Sequence, residues 1–259
     1  MESGSIELFV NAIGVTIAIA IVGGGFFFMS RMQKAGVSFL PGGQQGVQSF
    51  EHAMTSRLGY ASQPDASKDP AADIRAGKPA RTHMQRHVQG RVVDWASETQ
   101  YQGTSTSVTN AWSVQLPAGA RIPLHVSSAS LGSIAKGAGD FMTSRRRTWA
   151  PRFAAETKTG DEALDRAVRI FTQPGYESQV QQLLSDPTIR NLLLQLPFVD
   201  VVVEGNSVSL QDPFQELLTK LMGGPMGMMQ MLTPQGIEKQ VWMHDAVATL
   251  LVAIAGKVS

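Results

Sequence analysis

The sequence predicts an α+β protein with an N-terminal single transmembrane helix, a flexible linker, and a small, mostly antiparallel sheet packed with helices. An uncharged apolar run lies near the amino terminus, a Gly- and Pro-rich stretch follows it, and alternating strand patterns later give way to helical spacing. We therefore divide the chain into a transmembrane anchor (residues 1–34), a flexible linker (35–85) and a soluble α+β domain (86–259).

Composition narrows the classes of function. The 259 residues include no cysteine, which excludes a disulfide scaffold, a thiolate metal site and a cysteine nucleophile. The 22 basic and 21 acidic residues leave a net charge of +1, so charge does not favour a nucleic-acid partner. We expect no nucleic acid and no cofactor.

The anchor is the apolar run of residues 6–29, which is long enough for the roughly 20 helical residues that a bilayer core requires. Within it, residues 8–29 carry no charge; acidic Glu2 and Glu7 precede this uncharged stretch, and basic Arg31 and Lys34 follow it. The positive-inside rule then predicts a single-pass protein whose soluble domain faces the cytoplasm.

A glycine triplet, residues 23–25, lies inside this run. Small residues let two membrane helices approach closely, which would give a homo-oligomer through the anchor. Packing of the triplet against lipid is the alternative, and both remain open.

The linker prediction rests on residues 40–46 and 62–80, which are rich in Gly, Pro, Ala, Asp and Ser. Between them, the spacing of Phe50, Met54 and Leu58 predicts a short helix within residues 47–58.

His83 and His87 stand four residues apart, which would put both imidazoles on one face of a helix. No third ligand accompanies them and two arginines, at positions 81 and 86, are close by, so we expect a basic segment and no metal.

Alternating apolar residues predict strands over residues 88–95, 107–116 and 120–128 in the first part of the soluble domain. Pro123 would place the third of these strands at a sheet edge. Two further strands are predicted over residues 153–157 and 166–172.

Helical spacing becomes clear after residue 176. One helix carries Val180, Leu183 and Leu184, and a second begins at Asp186 as its cap with Pro187 in its first turn. A strand over residues 198–203, a turn at Gly205–Asn206 and a strand over 207–210 predict a hairpin.

Two helices are predicted to follow the hairpin. The first begins at Asp212–Pro213. The second, over residues 234–257, contains too many polar residues to span a bilayer and should pack across the sheet. Its predicted buried face comprises Ile237, Val241, His244, Val247, Leu251 and Ile254.

Two clusters are candidate interaction sites. Arg145, Arg146 and Arg147 precede Trp149, a combination that suits phosphate, lipid headgroups or an acidic partner, or else a solvated loop. Methionines crowd the segment before the last helix and would form an adaptable apolar surface for a partner or a membrane, a Cu(I) site, or loop filler. The main methionines of this cluster are Met226, Met228, Met229 and Met231.

No motif with catalytic spacing is present, which leaves the catalytic residues unknown and favours a non-enzymatic role. The best single candidates for a catalytic base are His244, beside Asp245, and His125. A histidine on an apolar face is more commonly a core residue than a base.

The carboxyl-terminal half, residues 150–256, resembles bacterial membrane-anchored proteins of unknown function. The shared pattern is a charged and then alternating strand (LDRAVRIFT), a helix pair (VQQLLSDPTIRNLL), a hairpin (VDVVVEGNSVSL) and a closing helix (MHDAVATLLVAIA). The resemblance implies no activity and supplies no site residues. With the anchor, it favours the inner membrane.

These observations lead to one principal hypothesis: a non-enzymatic adaptor or component of a membrane assembly, with the bilayer and a protein as its partners. Two alternatives remain, a membrane-tethered hydrolase and an extracytoplasmic metal-handling domain that uses the methionine cluster.

Overall fold

The computed structural model describes residues 43–67, 73, 76–102, 105–129, 152–196, 199–212 and 233–259. These residues form a mostly antiparallel sheet packed with helices, which confirms the α+β class. In chain order, the elements are α1 (Gly43–Ser56), β1 (Ala61–Ser62), β2 (Ala80–Val88), β3 (Arg91–Gln102), β4 (Ser105–Gln115), β5 (Leu124–Ser128), β6 (Ala155–Thr157), α2 (Glu162–Ala167), β7 (Val168–Thr172), α3 (Glu177–Leu184), α4 (Pro187–Gln195), β8 (Asp200–Glu204), β9 (Ser207–Asp212) and α5 (Pro234–Val258).

The predicted anchor, residues 6–29, lies outside the described residues, as do both candidate clusters and the body of the helix predicted to begin at Asp212–Pro213. The anchor therefore stays a prediction. Among the described residues, one helix, α5, is long and apolar enough to cross a membrane, with a mean hydropathy of 1.4. The most apolar window of α5 is 61% buried, as in the core helix of a globular protein.

The strands follow the order β1-β2-β3-β4-β9-β8-β5-β7-β6. Strand β5 is flanked by β8 and β7 and pairs antiparallel with both, so Val126 lies opposite Val201 on one side and Ile170 on the other. All three side chains share one face of the sheet and are buried, so that face is part of the core.

The chain divides into two compact units. Among the described elements, the first unit holds α1, β1, β2 as far as His87, Asp94–Ala111 and α5 as far as Asp245. The second holds Trp112–Gln211, together with the turn between β2 and β3 and the end of α5. Strands β2, β3 and β4 and helix α5 each contribute residues to both units.

Much of the predicted linker has secondary structure. Residues 43–56 form α1, as the spacing of Phe50 and Met54 predicts, and both of those side chains are buried. Residues 61–62 and 80–88 form β1 and β2. These segments belong to the first unit, apart from Val88 at the end of β2.

The strand predicted over residues 88–95 is interrupted by a turn. Gln89 and Gly90 both have positive φ angles, +50° and +77°, and join β2 to β3 as a two-residue hairpin. Gly90 supplies this conformation readily, but Gln89 gives no comparable signal in the sequence.

Pro123 does not mark a sheet edge. It immediately precedes β5, which has a neighbour on each side. Its carbonyl accepts a hydrogen bond from Thr172 Oγ1 at 2.6 Å. The rule that confines proline to edges concerns the missing N–H within a strand, and it does not apply to the residue before one.

The helix pair, the second hairpin and the last helix are confirmed. Asp186 caps α4 through Oδ1, which accepts from the backbone N–H of Thr188 at 2.9 Å, and Pro187 occupies the first turn. Gly205–Asn206 joins β8 to β9. Every residue of the face predicted for α5 is buried: Ile237, Val241, His244, Val247, Leu251 and Ile254.

Candidate functional site

An apolar pocket lies in the first unit, between α1 and the β1–β3 part of the sheet. Its volume is about 100 Å³, and four segments line it: α1, residues 62–67, β2 and β3. The buried side chains of Phe50, Met54 and Trp95 form an apolar floor, while the rim is polar and exposed at Glu51 and Arg81. The remaining lining residues are Ser62, Ala66, Ser67, Thr82 and Met84.

His244 is buried beneath this floor, surrounded by aromatic rings. Its imidazole stands edge-on to Trp95, with ring centroids 4.6 Å apart, and lies 6.0 Å from Tyr60 and 6.1 Å from Phe50. Burial, and secondarily the positive charge of Arg86, lower the pKa of His244 to about 3. His244 is therefore neutral at physiological pH and acts as a packing residue between α5 and β3.

Arg86 is a charged group almost entirely inside the first unit. It is 4% exposed, and its Nη2 donates to Asp245 Oδ1 at 2.9 Å. Its guanidinium carbon lies 5.2 Å from the centre of the Tyr60 ring, within the range of a cation–π contact. Asp245 thus pairs with β2 and not with His244, so the suggested His244–Asp245 pair does not form.

His83, on strand β2, lies between two carboxylates. Its Nδ1 is 2.6 Å from Asp65 Oδ1, and its Nε2 is 3.2 Å from Asp94 Oδ1. His83 and His87 lie on strand β2, so the helical face predicted for them is wrong. Side chains four apart share a face of a strand as well as of a helix, but along a strand they are about 13 Å apart.

His125, in the second unit, has both ring nitrogens engaged. Nδ1 accepts from the backbone N–H of Arg152 at 3.2 Å, which leaves the proton on Nε2, where it is donated to Asp200 Oδ1 at 2.8 Å. His125 and Asp200 are 5% and 7% exposed, and Phe171 packs beside the imidazole. This dyad joins β5 to β8 and leaves no nitrogen available to a substrate.

The eight residues of the two sequence clusters lie outside the described residues, so the roles suggested for them remain predictions. Within the described part of the chain, no group of three or more His, Asp or Glu side chains is arranged to hold a metal ion. The pocket residues were not identified from the sequence as a site. The helical spacing of Phe50 and Met54 is visible in the sequence. Arg81, Met84 and Trp95 come close to them only because β2 and β3 pair in the folded protein.

Comparison of the chain with protein-family models, with curated proteins and with solved structures finds no match.

Proposed function

We propose that this chain is a single-pass membrane protein, anchored through residues 6–29, whose α+β domain is a non-enzymatic binding module in the cytoplasm. The pocket under α1 is its recognition site, and the occupant is an apolar side chain carried by a partner protein. The observation that carries this proposal is the combination of an apolar floor and a polar rim in that pocket.

The size of the pocket supports a side chain over a cofactor or metabolite. Pockets that hold drug-sized ligands and cofactors span about 300–1,000 Å³. A volume of about 100 Å³ instead matches one leucine- or methionine-sized group. Buried apolar anchors of this kind carry much of the binding energy of protein interfaces.

The charged rim of the pocket would orient the bound segment of the partner. Glu51 on α1 and Arg81 on β2 present opposite charges at the pocket opening, and Arg81 Nε already donates to Glu98 at 2.9 Å. A partner segment with one apolar side chain between polar or oppositely charged residues would satisfy both groups. Such a rim favours specificity more than affinity.

The hydrolase alternative gains no support from the two histidines considered for it. His125 is held by hydrogen bonds at both nitrogens, and His244 is buried with a pKa of about 3. A general base needs a nitrogen within reach of a substrate and a pKa near the working pH. His244 meets neither requirement, and both ring nitrogens of His125 are already engaged by protein groups.

Photocrosslinking from the pocket rim tests the binding module. A photoreactive phenylalanine analogue at Ser62, on the rim, should yield a discrete adduct with a second protein in native membranes. The same analogue at Glu162, an exposed residue of α2 in the second unit, is the matched control and should not. An Ala66→Phe variant, which fills the pocket, should reduce the Ser62 adduct by about tenfold or more.

Equal adducts from both positions, or an adduct that survives Ala66→Phe, would overturn the proposal. An adduct with the mass of two copies of this chain would replace the partner protein by a self-interaction and overturn that part of it.

The natural absence of cysteine makes the membrane topology straightforward to test. A Glu162→Cys variant carries the only thiol, on a side chain that is largely exposed. In sealed inverted membrane vesicles it should react with an impermeant maleimide, and in right-side-out vesicles it should not. The reverse pattern would place the domain outside the cytoplasm.

A further inference from the structure

His83 makes contacts that only its charged form can satisfy. A neutral imidazole has one N–H and one lone pair, so it can donate to a single carboxylate and repels a second. Here both ring nitrogens face carboxylate oxygens, Asp65 Oδ1 at 2.6 Å and Asp94 Oδ1 at 3.2 Å. The observed geometry is therefore that of an imidazolium that donates to both.

One of these carboxylates, that of Asp65, belongs to a segment that contributes to the pocket wall. Residues 61–67 run beside β2 and contribute Ser62, Ala66 and Ser67 to the lining. Two backbone hydrogen bonds hold this segment to β2. The N–H of Gln63 donates to the carbonyl of His83 at 2.8 Å, and the N–H of Ser67 donates to the carbonyl of Arg81 at 2.9 Å. Asp65 lies at the tip between these two points, and its side-chain contact with His83 ties that tip to the sheet.

We propose that His83 is a proton-dependent clamp on the pocket wall: the imidazolium holds Asp65 and keeps residues 61–67 closed against β2, and loss of the proton releases Asp65 and loosens the wall. The clamp regulates the recognition site proposed above and so rests on that proposed function.

Asp65 is the carboxylate that would leave. Its side chain is 67% exposed, so water can replace the imidazole at little cost. Asp94 is only 21% exposed and also accepts from Gln85 Nε2 at 2.5 Å. A neutral His83 therefore keeps its single N–H on Asp94, the carboxylate that is harder to solvate.

The charged groups that face the clamp are Asp65 from the loop, Asp94 from β3 and, acting on Asp65, Arg81 from β2. Partial burial opposes the charge on His83, but the hydrogen bonds and charges of the two aspartates outweigh it and raise the pKa of His83. The contact with His83 in turn lowers the pKa of Asp65. Release should therefore occur above the ordinary histidine pKa.

Two measurements on the full-length protein in detergent micelles test the clamp. Carbon-13 labelling of the five histidines should show one ring, lost in His83→Gln, that titrates above the ordinary value. Hydrogen exchange, corrected for its intrinsic dependence on pH, should show about two- to fivefold less protection of residues 61–67 above that midpoint, since an exposed ion pair is worth that much. Protection of β3, which does not pair with residues 61–67, should stay constant.

Two variants make the test specific. Asp65→Asn supplies an amide donor that a neutral imidazole can accept, so the pH dependence of residues 61–67 should disappear while the loop stays closed. His87→Gln, on the same strand and exposed, is the matched control and should leave the pH dependence unchanged. Constant protection across the His83 midpoint, or a midpoint at or below the ordinary value, would overturn the clamp.

The outcome separates the two proposals. Partner crosslinking from Ser62 with no pH dependence at residues 61–67 would overturn the clamp alone. A clamp that titrates as described, without any partner adduct, would leave the device intact and overturn the proposed binding function.

Discussion

His244 and Asp245 are neighbours in α5, yet one is buried and the other faces solvent. The imidazole packs 4.6 Å from the ring of Trp95, while the carboxylate lies 2.9 Å from Arg86. Successive residues on an α-helix are about 100° apart around its axis, so adjacent side chains rarely share a site. The two residues instead make separate contacts with β3 and β2.

Burial of His244 predicts a specific sensitivity to mild acid. Because the pKa of His244 is about 3 in the folded protein and about 6.5 in the unfolded chain, only the unfolded chain takes up a proton between these values. The free energy of unfolding should therefore fall as pH drops below about 6.5, by up to about 1.4 kcal/mol per pH unit.

Denaturant unfolding followed by tryptophan fluorescence between about pH 6.5 and pH 5.5 measures this effect, above most of the range in which carboxylates titrate. A His244→Phe variant keeps an aromatic ring in place and should show a much flatter dependence. An equally steep fall in the variant would show that another group is responsible.

The buried guanidinium of Arg86 predicts that Asp245 matters more for stability than its exposure suggests. The Asp245 side chain is 59% exposed, but that of Arg86 is only 4% exposed. Asp245→Asn removes the charge that offsets a buried cation and should lower the free energy of unfolding by about 1–3 kcal/mol. Thermal or denaturant unfolding measures it.

Glu162→Gln is the matched control for that variant. It breaks an ion pair of α2, with Arg166, in which both side chains are more than 70% exposed, so it should change stability by less than about 0.5 kcal/mol. Equal effects of the two variants would contradict the role assigned to Arg86.

The His125–Asp200 dyad predicts that two substitutions differ in their effects. Asp200→Asn keeps an oxygen that can accept from His125 Nε2, so it should cost little stability. His125→Leu leaves a buried carboxylate without its donor and should cost about 1–3 kcal/mol. Denaturant unfolding of both variants decides the matter, and a larger loss for Asp200→Asn would be inconsistent with the assigned tautomer.

The turn between β2 and β3 predicts a stabilising substitution. Gln89 has a φ of +50°, which costs a glutamine more than an asparagine, and Asn-Gly is the preferred pair for such turns. Gln89→Asn should raise the free energy of unfolding by about 0.5 kcal/mol. Gln63→Asn, a similar substitution outside the hairpin, serves as the control. No gain at Gln89 would mean that the turn relaxes in solution.

Local signals in the sequence predicted local structure well. Asp186 with Pro187 marks the start of α4, Gly205–Asn206 marks a hairpin, and the apolar spacing of α5 identifies its buried face. In each case the information lies within a few residues of the feature. The missed helix α2 also carried such a signal, since Asp161 caps it by accepting from the N–H groups of Ala163 and Leu164.

The pocket and the clamp could not be predicted in the same way. Asp65, His83 and Asp94 are brought together by the packing of residues 61–67 and β3 on either side of β2, and no spacing in the chain marks that meeting. The spacing of His83 and His87 was compatible with a helix or a strand, and only strand pairing decides between them.

The position of β5 has a consequence for how the protein is made. Leu124 pairs with Thr172 on one side and Val203 on the other, so this strand leaves the ribosome well before either neighbour exists. Contacts between distant residues form slowly and leave apolar strands open to aggregation in the meantime. The backbone N–H of Arg121, just before β5, donates to the carbonyl of Val258, which is among the last residues to be synthesised. Nascent chains that stall before residue 204 should therefore depend on chaperones, and fragments cut there should be insoluble.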